Sequence, residues 1–322
     1  MYDTWLDGLV VRFSQLWPDG SFFSAPFLVY GLLAVLLVAA ICGAVGSLVV
    51  GNRMAFFSDA LAHTAFTGVA LGLLTGLFLD APRDGDFYQL GIPFIMVGFG
   101  MTVGLLIAVV RERTGLASDT VIGVFFAGVV AFGTMVMKAL SSSGGYFRVD
   151  NFLWGDPIAA TGLDLMVLSV LAAITFGLLL VMYNSLVFSS FNPSLARSRN
   201  ISLRLCSFAF IVLLALIVNL SQKVVGVLLI NGMLIVPAAT AGNLCRNMRQ
   251  LFWTTIGLSV LAAGLGIWLS TKPLYFRGRE LSFGISGFIV LMSVLFFIAS
   301  MTVVPWARKR LQSPRTPAEA KA

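Results

Sequence analysis

Residues 31–80 read GLLAVLLVAAICGAVGSLVVGNRMAFFSDALAHTAFTGVALGLLTGLFLD. Two long apolar runs meet here across one polar point, Asn52-Arg53. A helix needs about 20 apolar residues to cross a hydrocarbon core about 30 Å thick. Inside that core a single segment satisfies its own backbone hydrogen bonds only as a helix. The stretch therefore predicts two membrane-spanning helices joined by a tight basic turn. Comparable runs occur at 26–50, 55–79, 91–110, 120–140, 163–186, 201–220, 224–244, 251–271 and 281–305. The run at 224–244 holds Asn231 and Pro237, which predicts a broken or re-entrant segment. The expected fold is an all-α polytopic transmembrane bundle of eight or nine spans. The expected organisation is an extracytoplasmic interfacial segment over 1–25, a membrane domain over 26–305 and a disordered cytoplasmic tail over 306–322.

Composition excludes a soluble fold. Of 322 residues, 58% are hydrophobic and 11% charged, against roughly 25% charged in soluble domains. The net charge of +7 belongs to membrane loops, not to a nucleic-acid surface. With the N-terminus outside and nine spans, thirteen of the 21 basic residues fall on the cytoplasmic side, among them Arg53, Arg111, Arg113, Arg246 and Arg249. Of the 14 acids, only Glu112, Asp119 and Glu319 join them. That asymmetry follows the positive-inside rule. The loop with Lys272, Arg277 and Arg279 is the exception. Acids at Asp3 and Asp7 argue against a secretory signal. Cys42, Cys206 and Cys245 have no pairing spacing, so neither a disulfide framework nor a thiolate metal site is expected. No GxxxxGK[ST] loop is present, so the chain is read as a non-enzyme, with any ATP chemistry in another chain.

Three features carry chemistry. Asp59 is the acid well inside an apolar run, and His63, the single histidine, follows one helical turn later. A charge at the bilayer centre costs about 2.5–3.5 kcal/mol, so it needs a reason. Positions i and i+4 share a helix face, and carboxylate with imidazole suits zinc or manganese. The plain alternative is that Asp59 bonds His63, or caps the helix near Ser58, and fills a polar gap. Two ligands also fall short of the usual four for zinc, a shortfall that a symmetric dimer would repair. The second feature is the basic segment from Phe191 to Ile201, in which Asn192 and Pro193 suit a helix start and Leu195, Ala196, Arg197 and Arg199 follow. It reads either as a topogenic loop or as a docking element. The third is 224–244, where Gly226, Gly232 and Pro237 permit close packing or a kink and Asn231 is polar, so that Asn231, Gly232 and Pro237 mark a kinked span or a transport path.

On these residues the chain resembles the permease subunits of ABC importers for zinc and manganese. The first-loop signature is matched by Arg53-Met54 and by Asp59-Ala60-Leu61-Ala62-His63, and the next by Asp119–Gly128. Asn151–Asp156, Phe191–Ala196, Val224–Leu229 and Val236–Ala241 match later stretches, in order, from about Gly31 to Val304. Ala62, Thr67 and Asn200 depart from the family's usual serine, proline and glycine. The resemblance implies that 26–305 is a permease domain for zinc or manganese, with iron as a third candidate, and that Asp59 and His63 meet the metal. It implies no permanently bound cofactor, a bacterial cytoplasmic (inner) membrane location, a cytoplasmic ATPase gripped by Asn192–Arg199, an extracytoplasmic metal-binding protein and a second permease copy. The alternatives are a siderophore or cobalamin permease and an ion-driven secondary transporter.

Overall fold

The computed structural model describes residues 5–16, 18, 22–52, 54–80, 82, 87–142, 155, 157–191, 202–272, 274–276, 279–281 and 284–312. The helices are α1 (Trp5–Gln15), α2 (Pro26–Gly51), α3 (Ala55–Phe78), α4 (Ile92–Thr114), α5 (Ser118–Ser142), α6 (Gly162–Phe191), α7 (Leu203–Leu244), α8 (Met248–Ser270) and α9 (Ile285–Gln312). Eight of these, α2 to α9, are long and apolar enough to cross a membrane. The all-α expectation holds apart from a short antiparallel hairpin between α8 and α9. Its strands are β1 (Leu274–Phe276) and β2 (Arg279–Leu281), with Tyr275 opposite Glu280.

α2 is the central post. Proline at its start has the fixed φ of a first helical turn and no N–H to leave unpaired. The helix is apolar all round, the pattern of an element packed on every side. Val35, Val38, Ala39, Ile41, Cys42, Ala44 and Val45 are wholly buried, and α6, α7 and α8 pack around them. Small residues set the spacing: a Cβ on Gly46 would sit 2.4 Å from the Leu234 carbonyl oxygen of α7. α3, α4 and α5 form a second group, with Ala65, Val69 and Leu73 of α3 against Ile92, Met96 and Val97 of α4. Thr67, where the family commonly has proline, donates its hydroxyl across to the Val129 carbonyl of α5 at 2.8 Å.

The span count resolves at α7. An unbroken helix of its length would run roughly 63 Å, twice the hydrocarbon thickness. It breaks at Gly226, whose φ of 78° and ψ of 165° lie in a region that only glycine adopts readily. Its first limb runs antiparallel to α4: Arg204 meets Glu112, Ile211 meets Gly104 and Asn219 meets Gly100. Its second limb runs parallel to α9: Ser286 bonds the Val225 carbonyl, Gly232 meets Val290, and Asn243 bonds Ser300. Among the described residues, seven unbroken helices and the two limbs of α7 thus present nine apolar segments. Of the three residues expected to permit a kink or close packing, Gly226 takes the break. Gly232 instead makes room for Val290, and Pro237 stays within the helix. α9 runs to Gln312.

The turn between the limbs is held by an ion pair. Lys223 Nζ donates to Asp164 Oδ1 at 2.7 Å, and Asp164 Oδ2 accepts from the Thr161 hydroxyl and backbone N–H. The Asp164 side chain is 10% exposed and that of Lys223 51%. Removing the lysine leaves a largely buried carboxylate with only its Thr161 bonds. Lys223→Met is expected to cost about 1–2 kcal/mol, the half-exposed lysine discounting the pair. The check is a lowered unfolding temperature in detergent, with no loss in Lys223→Met/Asp164→Asn beyond that of either single variant.

Candidate functional site

Asp59 lies in the second turn of α3, so it is not a helix cap; Ser58 instead bonds back to the Ala55 carbonyl. Phe57 and Leu61, on either side of it, flank Gly104 at the middle of α4. Asp59 therefore sits at mid-depth of the bundle, where an unpaired charge is most costly.

His63 follows on the same face. Its Nδ1 lies 3.0 Å from the Asp59 backbone oxygen and 3.9 Å from Asp59 Oδ1. A carbonyl can only accept, so Nδ1 is the donor in that contact and Nε2 is the ring nitrogen outside it. Metal-binding histidines are oriented in this way, the second ring nitrogen donating to a backbone carbonyl. Phe126 of α5 meets the ring edge-on, with centroids 4.9 Å apart. The Asp59 carboxylate bonds something the sequence did not pair with it: Asn231 Nδ2, on the second limb of α7, donates to Asp59 Oδ1 at 2.6 Å. Side-chain exposures of 42% for Asp59 and 28% for His63 leave both part-exposed.

No cluster of three or more His, Cys, Asp or Glu side chains occurs among the described residues. One copy of the chain offers a carboxylate and an imidazole, with the Asn231 amide beside them. That donor set is free of thiolate and fits a borderline or hard divalent cation. Asn192, Pro193, Leu195, Ala196, Arg197 and Arg199 lie outside the described residues, as does Arg53. The Asn231–Asp59 bond and the Phe126 contact were missed from sequence. The one available signal for the former was a polar residue stranded in an apolar run.

The ABC 3 transport family matches residues 24–304. The chain belongs to that family. Manganese import system permease protein ScaB of Streptococcus parasanguinis is 27% identical over 285 residues, spanning 88% of this chain and 92% of that one. High-affinity zinc uptake system membrane protein ZnuB of Haemophilus influenzae is 31% identical over 243 residues, 74% of this chain and 86% of that one. The structure of PsaBC from Streptococcus pneumoniae in complex with Fab superposes with a TM-score of 0.71 at 23% identity, covering 94% of this chain and 97% of that chain. This ABC 3 family member is a multi-pass protein of a bacterial cytoplasmic membrane, in keeping with its eight long apolar helices. Its family is one of transport proteins.

Proposed function

We propose that the chain is the transmembrane permease subunit of an ATP-driven importer of a divalent metal ion, zinc or manganese, and that Asp59 and His63 form its ion checkpoint. The observation that carries this is a part-exposed carboxylate and imidazole on one helix face at mid-depth, with the carboxylate anchored across the bundle by Asn231. The names of relatives from manganese and zinc systems support the cargo class. Membership of an ABC family weighs against the ion-driven alternative. The paired metal donors weigh against a siderophore or cobalamin path, which has no use for them. The metal is cargo, and no permanent cofactor is part of this reading.

The partners follow from what one copy lacks. No nucleotide-binding loop is present, so ATP binding and hydrolysis belong to a cytoplasmic ATPase. Two ligands do not complete a four-coordinate site, so a second permease copy brings another Asp59 and His63. An extracytoplasmic metal-binding protein delivers the ion. Residues 1–25 are read as an extracytoplasmic interfacial segment outside the membrane domain of 26–305, and 306–322 as a cytoplasmic tail. The test is reconstitution of permease and ATPase in vesicles with the donor protein. ATP-dependent accumulation of manganese or zinc is expected; accumulation without the ATPase, or of a siderophore instead, would overturn the reading.

Asn192–Arg199 is proposed as the element that docks on the ATPase, with Leu195 and Ala196 as apolar contact and Arg197 and Arg199 as charged rim. A stiff short helix there would pass a rigid-body movement to the spans that flank it. Ala196→Trp combined with Arg197→Glu is expected to leave membrane insertion intact and to abolish ATPase copurification or donor-stimulated hydrolysis. Persistence of association, hydrolysis and uptake together would move the docking site elsewhere, with 111–119 next in line.

A further inference from the structure

Asn231 is a costly residue to keep. Its Oδ1 is buried and has no protein partner among the described residues. An amide oxygen left so costs about 1–3 kcal/mol, and the one bond its side chain makes goes to Asp59 Oδ1, at 2.6 Å. The amide is therefore held for the sake of that carboxylate. The geometry has a chemical consequence. With one acceptor site of Oδ1 taken by an N–H donor, Asp59 meets an arriving cation chiefly through its other oxygen.

Carboxylates bind calcium largely through both oxygens, in shells of six to eight oxygens at about 2.3–2.6 Å. Zinc and its neighbours accept one carboxylate oxygen and an imidazole nitrogen at about 2.0–2.2 Å. Calcium gains little from a nitrogen donor and would need the oxygen that Asn231 holds. Resting on the reading of Asp59 and His63 as the ion checkpoint, we propose that Asn231 is a specificity-determining residue. By capping one oxygen of Asp59 it makes that side chain a one-oxygen ligand, which admits a transition-metal cation and disfavours calcium.

The test is direct binding of manganese, and its competition by calcium, on the intact permease–ATPase complex in nanodiscs. Asn231→Leu removes the donor and is expected to weaken manganese binding about 10–100-fold, as loss of a hydrogen bond to a ligating carboxylate does. It is also expected to narrow the manganese-to-calcium preference. Asn231→Asp is of equal size and puts a second carboxylate beside the first, so calcium affinity is expected to rise. A purely structural role would weaken both metals alike in both variants, and that result overturns the proposal. So does a preference within about threefold of the starting protein in both, well short of the usual effect of such bonds. Should Asn231→Leu fail to assemble, Asn231→Asp alone decides, and an unchanged calcium preference overturns the assignment. Asp59→Asn separates the two levels of the argument. If it abolishes binding while the Asn231 variants leave preference untouched, only the role of Asn231 falls. If it binds both metals normally, the checkpoint falls and the role of Asn231 with it.

Discussion

Asp59→Asn is expected to reduce ATP-dependent metal uptake to background, and His63→Ala to do the same, with assembly and basal ATP hydrolysis retained. The physical case rests on how little else the site has. One copy contributes one carboxylate and one imidazole, and no third acidic, histidine or cysteine ligand stands beside them among the described residues. Asp59→Asn keeps the shape and loses the negative charge. Its amide also turns one acceptor into a donor, facing the donating Asn231 Nδ2. His63→Ala removes the one free nitrogen and empties the space against Phe126. Each change is expected to weaken apparent metal affinity by at least about 100-fold, or about 2.7 kcal/mol. Neither should cost comparable stability, because both side chains are part-exposed and the helix backbone is untouched. Uptake in reconstituted vesicles, read with thermal unfolding of the same preparations, checks both halves. Normal uptake by both variants would remove the pair from the pathway.

Gly226→Val is expected to be the most damaging single change to the fold. Backbone at φ 78° and ψ 165° is strained for any residue with a Cβ, by about 1–3 kcal/mol, and a β-branched one fares worst. There is also no space. Gly155, itself at φ 67°, presses on this turn so closely that a Cβ on it would lie 2.3 Å from the Val225 carbonyl carbon. Gly155→Val should therefore phenocopy Gly226→Val. Gly257→Ala and Gly264→Ala, where a Cβ meets nothing within 4 Å, should be silent. The measurements are yield and monodispersity after detergent extraction. Equal behaviour of all four variants would mean that the turn tolerates a different path.

How much of this was legible in the sequence depends on the range of the interaction. The helices were readable because the bilayer imposes a length and a hydropathy on each span locally. Asp59 and His63 were readable because their relation is one helical turn. The Asn231–Asp59 bond joins residues 172 positions apart and depends on how α3 packs against α7; nothing local encodes it. The same holds for Lys223 and Asp164, which end up together because a first limb ends where α6 begins. Gly226, Gly232 and Pro237 all read as residues that permit a kink in 224–244, and sequence alone did not choose among them. In the fold the break falls to Gly226, the residue whose φ can turn positive, while a proline inside a packed helix is absorbed. The hairpin at Leu274–Leu281 was missed because three-residue strands carry no period long enough to read.

The reversal at Gly226 also bears on how the protein is made. The first limb ends in Asn219, Ser221, Gln222 and Lys223, and the second begins without any hydrophilic loop between them. Asn219, Ser221 and Gln222 are fully buried in the finished bundle. A lone helix carrying them would hold those groups against lipid while the ribosome is still adding the next span. The insertion machinery has no soluble loop at this point to hold outside the membrane as a topological anchor. Residues 203–244 are therefore suited to entering the bilayer as one hairpin, folded against α2 and α4 as it leaves the translocon. A stop placed between the limbs would strand the first in the membrane as a poor substrate for assembly and a good one for membrane proteases.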